Sequence, residues 1–417
     1  MKTKIAFIMV IATLLAPCVF AQESPQEDAF LTQQYLTGDW RGLRSRLTEQ
    51  GITFDLEYTS TYQGPVQGTE NKDFDYGGKF DGFINLDSRK LGLWDGGGFH
   101  MHAEYNHGKP VVGLGDSRLN GVFFPVNTAQ VLPLGRSEEL EFTSLYFSQQ
   151  IGEQGKVLFG KINVIDLLAS DLFFGGWGIR RFMNVAFVAP PSGILPPTIF
   201  GAIANFETDS VNWTFKVYDP NDRTSDYFPD DLFSDGVNIA ISGALSGKLM
   251  GRKTRASVDA TYSTKEGTDL SDVLLPELES GTKKGSYSVS FQFSHHLQES
   301  RDNPDDAWGV FLKLSVADGN PNPIDASVVG GIGGKALFVG RPQDSFGLGY
   351  FYYAFSNELR NALEPTTDLD DEQGVEMFYS YEVTPWFHIT ADIQYIDPAS
   401  GSDDNVLIAG LRTNIRF

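Results

Sequence analysis

The sequence predicts an all-β fold: a transmembrane antiparallel β-barrel of about sixteen strands, with a short N-terminal helix and an inward-folded constriction loop. Three observations carry that reading. Apolar and polar residues alternate in segment after segment from Ile52 to Phe417. Beyond Ala21 no uninterrupted apolar run reaches the ~18 residues of a spanning helix, and the longest stretch, Val185 to Phe206, holds four prolines. The final segment alternates up to an aromatic last residue.

Residues 1–21 are expected to be a secretory signal peptide. Lys2 and Lys4 give a positive start, Ile5 to Leu15 an apolar run, and Val19-Phe20-Ala21 a cut site before Gln22. Cys18, the only cysteine, lies inside it, so the exported chain is expected to have no disulfide, thiolate nucleophile or cysteine-based metal site. The full chain carries −22, and removing Lys2 and Lys4 with no acid leaves −24. Such a chain repels phosphates, which argues against nucleic-acid partners. The mean hydropathy of −0.20 still fits a barrel, because only alternate residues of its strands face lipid.

Residues 22–51 read as an N-terminal periplasmic segment. It is polar from Gln22 to Tyr35, then helical: Asp39 reads as N-cap, Trp40, Leu43 and Leu47 fall at helical spacing, and Gly51 stops it. Arg41, Arg44 and Arg46 take the other faces.

Residues 52–417 read as one barrel domain. Ile52, Phe54, Leu56 and Tyr58 share one face, against Thr53, Asp55, Glu57 and Thr59. The pattern returns at Phe99 to Asn106, where Met101 and Ala103 oppose His102 and Glu104. It returns at Val211 to Val217, where Trp213 and Phe215 oppose Thr214 and Lys216, and again where Tyr287 to Phe293 oppose Ser288, Ser290 and Gln292. Segments of this kind start roughly at residues 52, 79, 97, 140, 155, 200, 211, 235, 254, 285, 307, 328, 345, 374, 386 and 405. Connections alternate between short turns, such as Glu153-Gln154-Gly155, and long acidic loops, such as Asp219 to Asp235, Lys265 to Lys284 and Leu359 to Gln373. That asymmetry matches the periplasmic and extracellular ends of a barrel.

A soluble β-sandwich would also alternate. It would show its polar face to bulk water rather than to an aqueous lumen, and would not place aromatics near so many strand ends (Tyr58, Tyr105, Trp213, Trp308, Trp386). Counting back from Phe417 by twos gives Ile415, Thr413 and Leu411. A strand ending this way looks like the one read by the outer-membrane assembly machinery, with Phe417 as the signal. The expected surroundings are outer-membrane lipid and lipopolysaccharide.

The stretch Leu36 to Asp55, with Thr37-Gly38-Asp39-Trp40-Arg41-Gly42 at its head, resembles the opening of the OprB family of carbohydrate-selective porins. That family opens Thr-Gly-Asp-Trp-Gly-Gly, so Arg41 departs from it. Lys90 to Gly98, Gly160-Lys161-Ile162-Asn163 with Asp166, Phe182-Met183-Asn184, Tyr218 to Asp222 and Asp235-Gly236 resemble later blocks. The resemblance implies a sixteen-stranded barrel with a narrow eyelet that passes small sugars, monosaccharides such as glucose, and polyols. A general, weakly cation-preferring diffusion porin is the alternative, and an adhesin or structural barrel stays open.

A sugar path needs donors and acceptors for hydroxyls and apolar surface for ring faces. The segment Ile162 to Ile199, rich in glycine and proline, is too long for a turn and is expected to fold into the lumen. Candidate lining residues are Asp171, Trp177, Arg180 and Arg181 from that loop, and Arg89, His102 and Glu104 from inward strand positions. No cofactor is expected, and no metal site: His100 and His102 share a face, without a third ligand at metal spacing. No nucleophile motif accompanies the six histidines, which argues against an enzyme. Gly330-Gly331-Ile332-Gly333-Gly334 lacks the Gly-Lys-Ser/Thr ending of a phosphate loop and reads as a bend in a strand. Whether the barrel is a homo-oligomer is left open.

Overall fold

A helix, α1 (Pro25–Thr32), a tight turn at Trp40–Gly42 and a second helix, α2 (Leu43–Glu49), precede the first strand. The structure, a computed structural model, describes residues 25–417 apart from 110, 112, 114–116, 120, 133–137, 169–170, 174–175, 190–191, 228, 276–279 and 401–403. The signal peptide expected over residues 1–21 lies outside the described residues. Asp39 caps α2 from further back than its spacing suggests. The Trp40–Gly42 turn intervenes, and the Asp39 carboxylate accepts from the Ser45 amide and the Ser45 hydroxyl, each at 2.8 Å. Gly51 follows the helix at φ +89, where a Cβ would stand 2.6 Å from that of Lys90.

Sixteen strands follow: β1 (Ile52–Gln67), β2 (Asp75–Asp87), β3 (Gly97–Gly108), β4 (Leu140–Ile151), β5 (Gly155–Asn163), β6 (Thr198–Glu207), β7 (Val211–Tyr218), β8 (Asn238–Leu249), β9 (Arg252–Thr268), β10 (Thr282–Glu299), β11 (Ala307–Ala317), β12 (Ile324–Ala336), β13 (Arg341–Phe355), β14 (Glu372–Thr384), β15 (Phe387–Asp397) and β16 (Val406–Arg416). Each pairs antiparallel with its sequence neighbours, and β1 pairs with β16, closing the barrel. The long acidic connection expected from Lys265 to Lys284 is shorter than the composition suggests, because the β9–β10 ladder continues to Thr268↔Thr282.

Alternation becomes two surfaces. On β10, Tyr287, Val289 and Phe291 point outward and are exposed, while Ser286 and Ser288 point inward and are buried. An exposed apolar face beside a buried polar one inverts the rule for water-soluble sheets and suits a lipid-facing exterior. The Arg44 guanidinium sits against the β1–β16 seam, 3.7 Å from the Tyr35 ring centroid and 4.6 Å from that of Trp40. It donates to the Phe417 carbonyl at 2.6 Å, and the Phe417 amide donates to Leu56.

Arg41 occupies the left-handed region (φ 59, ψ 40). Its departure from the glycine of the resembling family thus falls where L residues are strained by about 1 kcal/mol or more. Arg41→Gly is expected to slow hydrogen exchange across Leu43–Glu49 about fivefold. Unchanged or faster exchange would show that the Arg41 side chain offsets the strain.

Described residues of two long connections pack against the inner face of the wall. Residues 109–139 carry α3 (Thr128–Val131), and residues 164–197 carry α4 (Val164–Leu168) and α5 (Val185–Val188). Ile162 and Ile199, taken from sequence as loop ends, pair across β5 and β6, so the loop proper is shorter. Val126, Met183, Ala186 and Phe187 are wholly buried between these segments and the wall.

Candidate functional site

The seat of the inserted segments is made of glycine. On the inner face of β12 and β13, Gly331 pairs with Gly349 and Gly333 with Gly347, forming a two-by-two patch without side chains. Phe182 and Phe187 stack on each other over it, centroids 4.2 Å apart, with Phe311, Phe351 and Phe378 around them. A Cβ at Gly347 would stand 2.6 Å from Cζ of Phe182, and one at Gly349 2.7 Å from Cζ of Phe187. Gly347 and Gly349 therefore make room for a close approach, with Gly331 and Gly333 beside them.

Polar pins fix the same segments. Two inward carboxylates on β14 each accept two consecutive backbone N–H groups. Glu372 takes Phe123 (2.6 Å) and Phe124 (3.0 Å) of the first segment. Glu376 takes Met183 and, at 2.9 Å, Asn184 of the second. Gln394 on β15 donates to the Val126 carbonyl and accepts from Asn184. Arg412 on β16 donates to the carbonyls of Gly178 and Arg181. A loop buried this deeply must pair its backbone groups, and the wall supplies the partners.

A charged belt holds Trp177, itself at φ 63. His102 on β3 stacks on Phe83 at 4.0 Å between centroids and lies 4.4 Å from the Trp177 ring. Its ring nitrogens reach Asp81 at 3.2 Å and Asp166 at 3.3 Å. The Lys79 ammonium lies 4.2 Å from the Trp177 centroid and pairs with Asp81 (3.2 Å) and Glu104. Asp81, His102 and Glu104 could together reach a cation. Lys79 already stands between the two carboxylates, so a divalent ion would have to displace it. Lys79, Asp81, His102, Glu104 and Trp177 are buried, and such a network fixes geometry more than it adds stability.

The inserted segments leave an open chamber of about 980 Å³ against β6–β11. Its two walls differ. The loop side presents Phe123, Leu132, Leu167, Leu168, Ile194 and Leu195. The strand side is ruled in polar rungs set by register: Thr214, Ser242, Asp259, Ser290 and Ser315 lie level on β7 to β11. Asp259 accepts from Lys216 at 3.0 Å and from Ser242. Arg255 and Lys313 line the same wall. A second recess of about 360 Å³ is lined by Arg180, Arg181, Lys335, Glu382 and Arg416, among others.

The candidates from sequence separate accordingly. His102, Glu104 and Trp177 come together in the buried belt. Arg180 and Arg181 line the smaller recess, with Arg180 bonded to Glu57 at 2.9 Å. Asp171 accepts from Gln292 at 3.5 Å and from the Phe173 amide. Arg89 is not an inward strand residue: β2 ends at Asp87, and Arg89 lies in the following turn, 77% exposed and 3.2 Å from Asp95. Sequence reasoning passed over Lys216, Arg255, Asp259 and Lys313, although Lys216 stood on the polar side of its alternation. It also missed that Phe123, Phe124 and Val126 bond to the inner wall at Glu372 and Gln394. The available signal was apolarity: Val111, Leu119, Val122, Phe123, Phe124 and Val126 are a poor composition for a loop in water.

A family profile described as "Carbohydrate-selective porin, OprB family" matches residues 71–417. Porin B of Pseudomonas aeruginosa is 24% identical over 447 residues, covering 92% of this chain and 91% of that one. The fold is similar to the high-pH structure of Pseudomonas putida OprB, with a TM-score of 0.78 at 21% identity, covering 93% of this chain and 100% of that one. The low-pH structure of the same protein gives 0.58 at 17% identity, covering 93% and 99%.

Proposed function

The chain belongs to the OprB family of carbohydrate-selective porins, and from that footing we propose that small sugars and polyols cross it passively, through the chamber between the inserted loops and β6–β11. It is an outer-membrane porin, with the family and fold of a channel rather than an enzyme. The two-walled chamber carries the reading. A pyranose has apolar faces and a hydroxyl rim. Leucine and phenylalanine on one side and hydroxyl rungs on the other meet both, and a passive path needs binding weak enough for the solute to leave. In this reading residues 109–139 and 164–197 narrow the lumen, and His102, Glu104 and Trp177 anchor the narrowing rather than touch sugar. Residues 1–21 are the export signal, 22–51 the periplasmic segment and 52–417 the barrel, with Phe417 as the mark for the assembly machinery.

A general, weakly cation-preferring porin is less well supported. A hydrated ion gains nothing from the apolar wall, and most charges lining the chamber are positive. The test is purified protein in planar bilayers with glucose added. Glucose is expected to reduce the ion current in a saturable way. A large current indifferent to glucose would favour the general porin, and no current at all would sink both readings.

A further inference from the structure

The sign of the charge inside the barrel is opposite to that of the chain. Overall the sequence has 54 acidic against 32 basic side chains. The chamber is lined by Lys216, Arg255 and Lys313 against Asp259 alone. The smaller recess is lined by Arg180, Arg181, Lys335 and Arg416 against Glu382 alone. Acidic side chains in the long outer loops face bulk water and are screened within ~8 Å at physiological salt, so they do not cancel charges in the lumen.

The chamber cations are unequally matched. Asp259 is bonded to Lys216 at 3.0 Å and also accepts from Ser242 and, at 3.3 Å, Thr261, so its oxygens are engaged. Among the described residues no carboxylate lies within ion-pair distance of Arg255 or Lys313. These two flank β10: Lys313 is level with Gln292, and Arg255 is level with Ser294, two residues along. With one strand between them their backbones are about 10 Å apart laterally, and both side chains are long enough to reach one anion from two sides. The hydroxyl rungs begin beside them at Ser257 and Ser290, and the apolar loop wall stands opposite.

We propose that the chamber contains a specific seat for sugars bearing an anionic group, carboxylate or phosphate. The anion sits between Lys313 and Arg255, the hydroxyls lie on the Ser/Thr rungs, and the carbon face rests on the loop wall. The proposal builds on the sugar-porin reading and names the substrate class of that path. Passage stays passive, and the seat concentrates anionic sugars over neutral ones. A charge-assisted contact made in a narrow lumen contributes about tenfold in apparent affinity.

The experiment measures block of the KCl current through single channels of the full protein by glucose, gluconate and glucose 6-phosphate. At low salt, at least one of the two anions is expected to half-block at about a tenth of the glucose concentration, and comparison of the two identifies the group taken. The advantage is expected to vanish in about 1 M KCl, where screening acts within ~3 Å. K313Q with R255Q is expected to abolish it while leaving glucose block in place, which also shows that the variant is folded. The proposal is overturned if both anions block no better than glucose in the unmodified protein, or if their advantage survives high salt or the double substitution. Glucose block with no anion advantage would remove the seat and leave the sugar porin standing. Absence of block by all three would remove both.

Discussion

Gly349→Val is expected to open the channel. The added side chain must occupy space now filled by Phe187, 2.7 Å from the position of its Cβ, and Phe187 is wholly buried among Phe182 and Phe351 with nowhere to move. Overpacking of this kind costs about 1–3 kcal/mol, and expelling the ring forfeits a further ~1.5–3 kcal/mol of burial. The barrel itself, held by sixteen ladders, should persist; the weaker structure is the seated loop. Single-channel conductance should therefore rise, and sugar block should weaken. Gly330→Val is the control. It lies on the neighbouring strand β12 beside the glycine patch but alternates outward, between Val328 and Ile332, and should leave conductance unchanged. Equal effects from the two substitutions would mean that the glycine patch is not the seat.

Glu376→Ala is expected to release residues 164–197 by a different route. It removes the acceptor of two backbone N–H groups, on Met183 and Asn184, that have no access to water. Each buried donor left unpaired costs about 1–3 kcal/mol. The exported chain is cysteine-free in this reading, so a cysteine placed at the wholly buried Ala186 reports directly on the loop. It should resist a water-soluble maleimide in the parent barrel and react once Glu376→Ala is added. Glu372→Ala should leave that cysteine protected, because Glu372 pins Phe123 and Phe124 of the other segment. Labelling at one rate in all three backgrounds would refute separate pins.

Much of the fold was legible because a barrel strand obeys one short-range rule. Strand starts read from alternation fall close to those observed. The largest offsets are four residues, at β2 (79 against Asp75), β12 (328 against Ile324) and β13 (345 against Arg341). At β2, Gly77 and Gly78 carry no side chain to show the period although the ladder continues through them, and at β13, Pro342 and Gln343 fall in a register break before the regular ladder resumes at Ser345. The interior was less legible, because its logic is not periodic. Nothing local to Gly347 or Gly349 announces that the rings of Phe182 and Phe187, far earlier in the chain, rest on them. Glu372 and Glu376 look like two more inward acids until their backbone partners are known. Arg89 was misplaced by extending the alternation of β2 two residues too far, into a turn. The loop candidates were chosen for type alone, as charged and aromatic residues among glycines. Burial then divided them, with Trp177 held in the wall and Arg180 and Arg181 beside open space.

The contact between Arg44 and Phe417 has a kinetic meaning. It joins residues 373 positions apart, across the one seam where strand neighbours are not sequence neighbours. Every other ladder can form as a local hairpin. This one must bring the two ends of the sheet together, at a chain-entropy cost of about 5 kcal/mol if the intervening chain were free. Prior zipping of the hairpins removes most of that cost, so the seam should be the last ladder to register. The Arg44 guanidinium, stacked on Tyr35 and Trp40 and already within reach of Phe54 and Asp55 on β1, gains its shortest hydrogen bond only when β16 docks, so it acts as a latch on the last ladder to form.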